Sequence, residues 1–277
     1  MLSIQEVQAL LRACQADTGR RPSSKTAQRL VDSLGFGRIV GKQWLVTDAD
    51  RDRIRAYLQS VEDINASTPP DAWLGRNRIE ATQLGRNEKL AGRRPREGRI
   101  ALRAPAGLRQ GESSLYLPAK AFLDIPVDEA VDFQHDAIIL VENFEAFIHF
   151  EDARIDLPFS QPLVAFRGDG INTADAVLEF LRNSKVPVIA WPDLDPAGLL
   201  FGASLPHLTG ILAPDDPDEC LSKHGRDDLY LNQLQQLDAL HLPGKLFTLE
   251  QAIRSQRKGI DQERMIAERM LLTLWTT

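Results

Sequence analysis

The chain has 277 residues, of which 43% are hydrophobic and 26% are charged, and its formal net charge is −6. This composition is that of a globular protein and excludes general disorder, collagen-like repeats and a long coiled coil. No apolar stretch reaches the ~20 residues of a bilayer span, and the first residues have neither the basic region nor the apolar core of a secretory signal. The two cysteines, Cys14 and Cys220, lack the spacing of a zinc site or a disulfide framework, so we expect a cytoplasmic protein with no membrane segment.

The residues 1–62 have the pattern of a small helical module. Apolar residues recur at steps of three and four over 2–14 and 27–34, which predicts two helices. A short β-rich patch follows, and Thr47 with Asp50 resembles a capping box at the start of a third helix. This order of elements predicts a winged-helix-like module that contacts either DNA or a protein partner.

An arginine-rich segment follows a linker that contains Pro69 and Pro70. Ten Lys or Arg residues and three Glu residues lie between residues 74 and 110, although the chain as a whole is acidic. Because the planar guanidinium group suits bidentate contact with phosphate, this local charge predicts contact with the DNA backbone. The alternative is a solvated loop that pairs with acidic residues. The candidate DNA-binding residues are Arg86, Lys89, Arg93, Arg94, Arg96 and Arg99.

The alternation of apolar and polar residues after this segment predicts short strands. Ile100 and Leu102 are expected to face inward, and Arg99 and Arg103 outward. We therefore predict that the residues 63–132 comprise the linker, the arginine-rich segment and a small β subdomain.

From residue 133 the chain alternates strands with helices. Continuous apolar runs are typical of strands that a parallel sheet buries on both faces. The predicted strands are 137–141, 162–166, 186–191 and 210–213. Three successive β-α units predict an α/β fold with a mainly parallel sheet covered by helices over 133–215. The residues 216–277 are predicted to be helical, with a last helix over 260–272.

Four carboxylates stand at the ends of these predicted strands. They are Glu142, Asp169, Asp193 and Asp195. Ligands of open parallel sheets bind at this edge, and carboxylates that converge there repel one another unless a cation neutralises them. Oxygen ligands without a histidine or cysteine cluster favour Mg²⁺ or Mn²⁺, and such sites support phosphodiester hydrolysis.

Two of these carboxylates have a structural alternative. Asp195 precedes Pro196, which is also the pattern of a helix N-cap followed by proline at the first helical position. Asp169 can equally cap the next helix or form a turn with its flanking glycines. Glu142 follows five buried apolar residues directly, where a carboxylate is costly unless it is solvated or paired.

The residues Val141-Glu142-Asn143 and, at the end of the third strand, Asp193-Leu194-Asp195-Pro196-Ala197-Gly198 resemble the motifs of the Toprim domain. Within that group, the sequence over roughly 133–215 most resembles the topoisomerase VI A-like nuclease subunit of Wadjet or MksBEFG bacterial condensin systems. The resemblance implies a Toprim fold preceded by a winged-helix module. It also implies a metal-dependent endonuclease that acts with an SMC–kleisin complex to cleave plasmid DNA in defence.

The resemblance implies roles for particular residues. Glu142, Asp193 and Asp195 would be catalytic, metal-binding residues, and Asp169 is a further candidate ligand. The segment 259–263 resembles a late glutamate-bearing segment of such nucleases, which adds Glu263 to the candidate ligands. Mg²⁺ or Mn²⁺ is the expected cofactor, double-stranded DNA the substrate and the nucleoid the place of action. A homodimer is expected, because two sites related by a two-fold axis suit the cutting of both strands.

One departure from the family concerns the tyrosine nucleophile of topoisomerase VI-type enzymes. Tyr57 is the tyrosine within 1–62, and it stands at an apolar helix position that indicates core packing. Hydrolysis by a metal-activated water is therefore favoured over strand transfer. Two alternatives remain: a non-catalytic adaptor that docks DNA or a partner, and a topoisomerase VI A-like subunit. The five scattered histidines are assigned no role.

Overall fold

The computed structural model describes the residues 2–168 and 174–277, and the predicted ligand Asp169 lies outside them. The chain forms two compact units, Met1–Pro95 and Arg96–Thr277. The first unit extends beyond residue 62 because Trp73 and Leu90 pack into the same hydrophobic core as the N-terminal helices. The second unit begins before residue 133 because two earlier strands pair with its sheet.

The N-terminal unit combines helices with a three-stranded antiparallel sheet of order β1-β3-β2. Its elements are α1 (Ile4–Gln15), β1 (Arg20–Pro22), α2 (Lys25–Leu34), β2 (Arg38–Val40), β3 (Gln43–Leu45), α3 (Asp48–Tyr57) and α4 (Arg78–Ala81). The predicted capping box of Thr47 and Asp50 is present at the start of α3. The three predicted helices and the β-patch before the third are present in 1–62, with the unpredicted strand β1 between the first two helices, and a winged-helix assignment stays a prediction.

The C-terminal unit is built on an eight-stranded sheet of order β7-β4-β10-β8-β11-β12-β13-β9. Its strands are β4 (Arg99–Arg103), β7 (Leu123–Pro126), β8 (Ala137–Val141), β9 (Arg154–Ile155), β10 (Pro162–Phe166), β11 (Val188–Trp191), β12 (Leu208–Pro214) and β13 (Leu271–Thr276). The strands β5 (Leu108–Gln110) and β6 (Ser113–Leu115) form a separate hairpin. The four central strands are parallel, whereas β4 and β13 run antiparallel to their central neighbours. The predicted α/β class is confirmed.

Helices cover the sheet and connect its parallel strands. They are α5 (Val127–Ala130), α6 (Phe144–Ile148), α7 (Ala174–Asn183), α8 (Pro196–Ala203), α9 (Pro217–His224), α10 (Asp227–Leu231), α11 (Leu234–Ala239), α12 (Leu246–Gln256) and α13 (Gln262–Ala267). Across the described parts of both units, no helix is both long enough and apolar enough to traverse a lipid bilayer.

The register of the central strands brings their carboxyl ends together. Val141, the last residue of β8, pairs with Phe166 of β10 on one side and with Trp191 of β11 on the other. All five residues of β8 are buried, as the continuous apolar run predicts. The residues that follow these three strands therefore lie side by side at one edge of the sheet.

This edge contains a topological switch point. In the sheet, the strand β8 lies between β10 and β11, whereas along the chain β10 comes between β8 and β11. Among the parallel strands, the chain therefore continues from β8, by way of the edge strand β9, to β10 on one side and from β11 to β12 on the other. The strand order reverses at the carboxyl ends of β8 and β11, an arrangement that forms a crevice in open α/β sheets. Open α/β sheets bind their ligands in such crevices.

Two parts of the chain differ from the predictions. The strands β4 and β7 join the large sheet instead of a separate subdomain, because β4 pairs with β10. The prediction of a helix over 260–272 is wrong beyond Ala267. Arg269 adopts a left-handed conformation with φ of 51°, which ends the helical segment, and β13 then pairs with β12.

Candidate functional site

Glu142 and Asp193 meet at the switch point. Glu142 follows β8 directly, and its Oε2 accepts a hydrogen bond of 3.2 Å from the backbone N–H of Asp193, which lies after β11. Its Oε1 is 2.5 Å from Nη1 of Arg167, the residue that follows β10. The Glu142 carboxylate therefore links the ends of three neighbouring strands.

The carboxylate of Asp193 is held by two donors from different parts of the chain. Its Oδ1 accepts hydrogen bonds from Nδ2 of Asn143 at 3.0 Å and from the backbone N–H of Gln262 at 2.8 Å. Within 2–168 and 174–277, no group donates a hydrogen bond to Oδ2.

Asp195 caps helix α8. Its Oδ1 accepts a hydrogen bond of 2.7 Å from the backbone N–H of Gly198, and its Oδ2 accepts one of 2.8 Å from Nε2 of Gln233. Pro196 occupies the first helical position, so the capping prediction is confirmed. The predicted role of Asp195 as a metal ligand stays a prediction.

Close backbone approach fixes the turn that carries both aspartates. A Cβ atom on Gly198 would lie 2.3 Å from the carbonyl oxygen of Asp193, and a Cβ on Gly259 would lie 2.8 Å from Cβ of Asp195. Leu194 and Ile260 exchange backbone hydrogen bonds of 2.8 and 3.0 Å. The segment before α13 thus clamps the acidic turn to the sheet edge.

Gln262 is the central residue of this clamp, and sequence analysis missed it. Its side chain is fully buried and joins the two strand ends: Nε2 donates to the carbonyl oxygen of Trp191 at 2.6 Å, and Oε1 accepts from the backbone N–H of Asn143 at 2.7 Å. The signal that could have found it is its position beside Glu263 in the segment 259–263. The exposed Glu263 reaches the same cluster, since its Oε2 accepts a hydrogen bond of 3.3 Å from Nδ2 of Asn143.

Because the Gln262 side chain satisfies two backbone groups, the carbonyl oxygen of Trp191 and the N–H of Asn143, we expect Gln262→Ala to lower the free energy of unfolding by about 2 kcal/mol. Urea denaturation would measure the change. The matched control is Gln256→Ala, which removes a half-buried glutamine with one hydrogen bond of 3.1 Å to Asp218 and is expected to change stability by less than about 0.5 kcal/mol. Equal losses of unfolding free energy in the two variants would contradict this structural role of Gln262.

The acidic residues of this edge are poorly neutralised. Burial raises the pKa of Glu142, although the charge of Arg167 opposes the shift. Burial, together with the charges of Glu142 and Asp195, raises the pKa of Asp193 to about 7. The pKa of Asp195 is also raised, chiefly by burial. Near neutral pH this cluster therefore favours either a bound proton or a bound cation.

The donor set fits a hard divalent cation in its chemistry. In the described portion of the chain, no three Asp, Glu, His or Cys side chains are already grouped as metal ligands. Glu142 instead faces Arg167, and Asp195 faces Gly198 and Gln233. Carboxylate oxygens keep further lone pairs when they accept one hydrogen bond, so Mg²⁺ or Mn²⁺ could bind after these side chains reorient.

The candidate DNA-binding residues are divided between the two units. Arg86, Lys89, Arg93 and Arg94 are exposed in the N-terminal unit. In the C-terminal unit, Arg96 and Arg99 both pair with Asp124, at 3.2 and 2.7 Å.

The prediction that Arg103 faces outward is wrong. Its side chain is 2% exposed, and its guanidinium group contacts Glu151 and donates to the carbonyl oxygens of Phe147 and Ile148. The reason is that the large sheet buries residues of β4 on both of its faces.

Tyr57 packs against the N-terminal core, as its apolar helix position predicts. Its ring makes an edge contact with Phe36 at 5.4 Å. Burial and the neighbouring charge of Glu62 raise the pKa of its hydroxyl, which disfavours the phenolate form. These surroundings are the opposite of those that activate a tyrosine nucleophile.

The comparisons with known proteins identify a family without an assigned activity. A family model described as "Domain of unknown function (DUF7281)" matches residues 101–274, which is more than half of the chain, so the chain belongs to this family. No curated protein matches the sequence significantly.

Proposed function

We propose that this member of the DUF7281 family is a DNA endonuclease that uses Mg²⁺ or Mn²⁺. The observation that carries the proposal is the meeting of Glu142 and Asp193 at the switch point of the sheet, with the pKa of both groups raised. Ionisable groups with such shifts at a ligand-binding edge are typical of functional sites. The resemblance of residues 133–215 to Toprim nucleases of Wadjet-type systems supports DNA as the substrate and an SMC–kleisin complex as the partner, at the nucleoid.

The proposed chemistry assigns separate tasks to the side chains of this edge. Glu142, Asp193 and Asp195 would hold the cation, which when bound supplies a nucleophilic water and neutralises charge at the scissile phosphate. Asn143 and Gln262 orient the Asp193 carboxylate through their hydrogen bonds to Oδ1. A homodimer would present two such sites to the two strands of a duplex.

The test is nicking of supercoiled plasmid by the full chain with Mn²⁺, with Mg²⁺ and with EDTA. We expect cleavage with either cation and none with EDTA. Because a partner complex can gate cleavage without changing the site, Mn²⁺ binding is measured in parallel by calorimetry. Absence of both cleavage and binding would refute the endonuclease.

A non-catalytic adaptor is the second candidate. It is favoured by the hydrogen bonds that occupy both oxygens of Asp195 and by the ion pair between Glu142 and Arg167. Normal DNA binding without Mn²⁺ binding would support it. The raised pKa of Tyr57 argues against a topoisomerase VI A-like subunit, which would form a covalent adduct with DNA.

We further propose that the N-terminal unit is a winged-helix-like module that contacts the DNA backbone. The hairpin of β2 and β3 directly follows α2, as a wing follows a recognition helix. Among the described residues, Arg86 and Lys89 have no acidic partner, whereas Arg12 and Arg55 pair with Asp71 and Asp52. Cations without a carboxylate partner are the ones free to bind phosphate.

The double variant Arg86→Gln/Lys89→Gln is therefore expected to weaken DNA binding about 10-fold and to reduce the slope of log K against log salt by about 2. Fluorescence anisotropy with duplex DNA at several salt concentrations would measure both. The control Arg12→Gln/Arg55→Gln removes the same charge from the same unit and is expected to leave the slope unchanged. A slope that changes equally in both variants would refute specific contacts by Arg86 and Lys89.

A further inference from the structure

We propose that Arg167 is a phosphate-binding residue of this site, which pairs with Glu142 while no cation is bound there. This inference rests on the proposed function and deepens it by naming a side chain that contacts the DNA phosphate. It concerns a residue to which neither the motifs of the sequence nor the family match assigns a role.

The backbone fixes Arg167 beside the acidic cluster. Its N–H donates to the carbonyl oxygen of Val141 at 2.9 Å, so the residue extends the pairing of β10 with β8 by one step. From this position its Nη1 reaches Oε1 of Glu142 at 2.5 Å. Within the described residues, no other lysine or arginine makes an ion pair with Glu142, and none pairs with Asp193 or Asp195.

Arg167 differs from an arginine with a purely structural role. Arg103 is 2% exposed and is bound by Glu151 and two carbonyl oxygens. The side chain of Arg167 is 38% exposed, and Glu142 is its hydrogen-bond partner among the described residues. The ring of Phe201 lies 4.9 Å from its Cζ and supports the guanidinium group by a cation–π contact. This group is therefore oriented but remains open to solvent.

Charge balance explains why the guanidinium group would change partner. In the structure, Arg167 supplies the positive charge that offsets Glu142. A divalent cation on the same carboxylate would take over that role and repel the guanidinium group. The group would then lie at the edge of the sheet where a DNA phosphate has to approach. The planar fork of arginine suits two phosphate oxygens at once.

The substitution Arg167→Gln separates this proposal from a structural role, because it moves two measurements in opposite directions. Removal of a positive charge beside Glu142 should tighten Mn²⁺ binding about 5-fold in calorimetry. Loss of the phosphate contact should weaken duplex DNA binding about 10-fold, measured with Ca²⁺ in place of Mn²⁺ to suppress cleavage. A residue that only positions Glu142 would weaken both.

The control is Arg182→Gln, which removes an exposed arginine from the last turn of α7 and should change neither the Mn²⁺ affinity nor the DNA affinity. Arg167→Lys keeps the charge without the fork, so it should keep the Mn²⁺ affinity of the wild type and recover part of the DNA affinity. Mn²⁺ binding by the wild type with unchanged DNA affinity in Arg167→Gln would overturn this inference alone. Weakening of both affinities in Arg167→Gln would also overturn it. Absence of Mn²⁺ binding by the wild type would overturn the proposed function and this inference with it.

Discussion

Replacing Glu142 by Gln or Asp193 by Asn is expected to lower Mn²⁺-dependent cleavage of plasmid DNA on the order of 1,000-fold. Each amide keeps the size of the side chain. In Asp193→Asn its oxygen can accept both existing hydrogen bonds, from Asn143 and Gln262, whereas in Glu142→Gln it keeps the one from Asp193 N–H and the pair with Arg167 is lost. What each substitution removes is the negative charge that a divalent cation requires.

The control for these variants is Asp136→Asn. Asp136 immediately precedes β8, so it lies at the opposite edge of the same sheet, where its carboxylate accepts hydrogen bonds from Ser160 and Gln161. This variant is expected to cleave like the wild type. Cleavage by Glu142→Gln and Asp193→Asn at the wild-type rate would place the catalytic site elsewhere.

The same assay decides between the two roles of Asp195. Asparagine caps helices about as well as aspartate, so Asp195→Asn should preserve the cap of α8 and, apart from the hydrogen bond from Nε2 of Gln233, the stability of the protein. If Asp195 is also a ligand, the Asp195→Asn variant should lose cleavage activity while it keeps that stability. Retained cleavage would assign Asp195 to the cap alone.

The central sheet could be predicted because its strands are buried on both faces. The apolar runs of β8 and β10 have the predicted bounds, and that of β11 begins only two residues later than predicted. At the edges the same reasoning is weaker. Alternation over the five residues of β4 indicates a strand but not the sheet that it joins, and it assigned Arg103 to a solvent face that does not exist.

The candidate site could be predicted only in the part that lies next to the strands. Glu142 was identifiable because a carboxylate directly after a buried run needs an explanation. Gln262 does not follow a buried strand, and apart from its position beside Glu263 it resembles any polar surface residue near the start of a helix. Its role arises from the contact of a distant segment with Trp191 and Asn143, and such a contact leaves no periodic pattern in the sequence.

The stability of the metal-free protein is expected to depend on pH through Asp193. Burial and the charges of Glu142 and Asp195 raise its pKa from the usual 3.8 to about 7. Between these two values the folded protein holds a proton that the unfolded chain has released, so stability falls as the pH rises through this window. Above a pH of about 7 the penalty is complete. The raised pKa values of Glu142 and Asp195 act in the same direction.

Asp193→Asn removes the ionisation and should therefore stabilise the protein by about 4 kcal/mol at about pH 8 in EDTA, with little change at about pH 4. Urea denaturation across this range would measure the difference. In Asp136→Asn the change in stability at about pH 8 should have the opposite sign. Although burial raises the pKa of Asp136, the hydrogen bonds from Ser160 and Gln161 outweigh it and lower that pKa, so its amide should destabilise the protein at about pH 8. An effect of Asp193→Asn that is equal at both pH values would reflect packing instead of charge.

Since a cation on the cluster would compensate the same charge, Mn²⁺ should stabilise the wild type at about pH 8 and leave Asp193→Asn nearly unchanged.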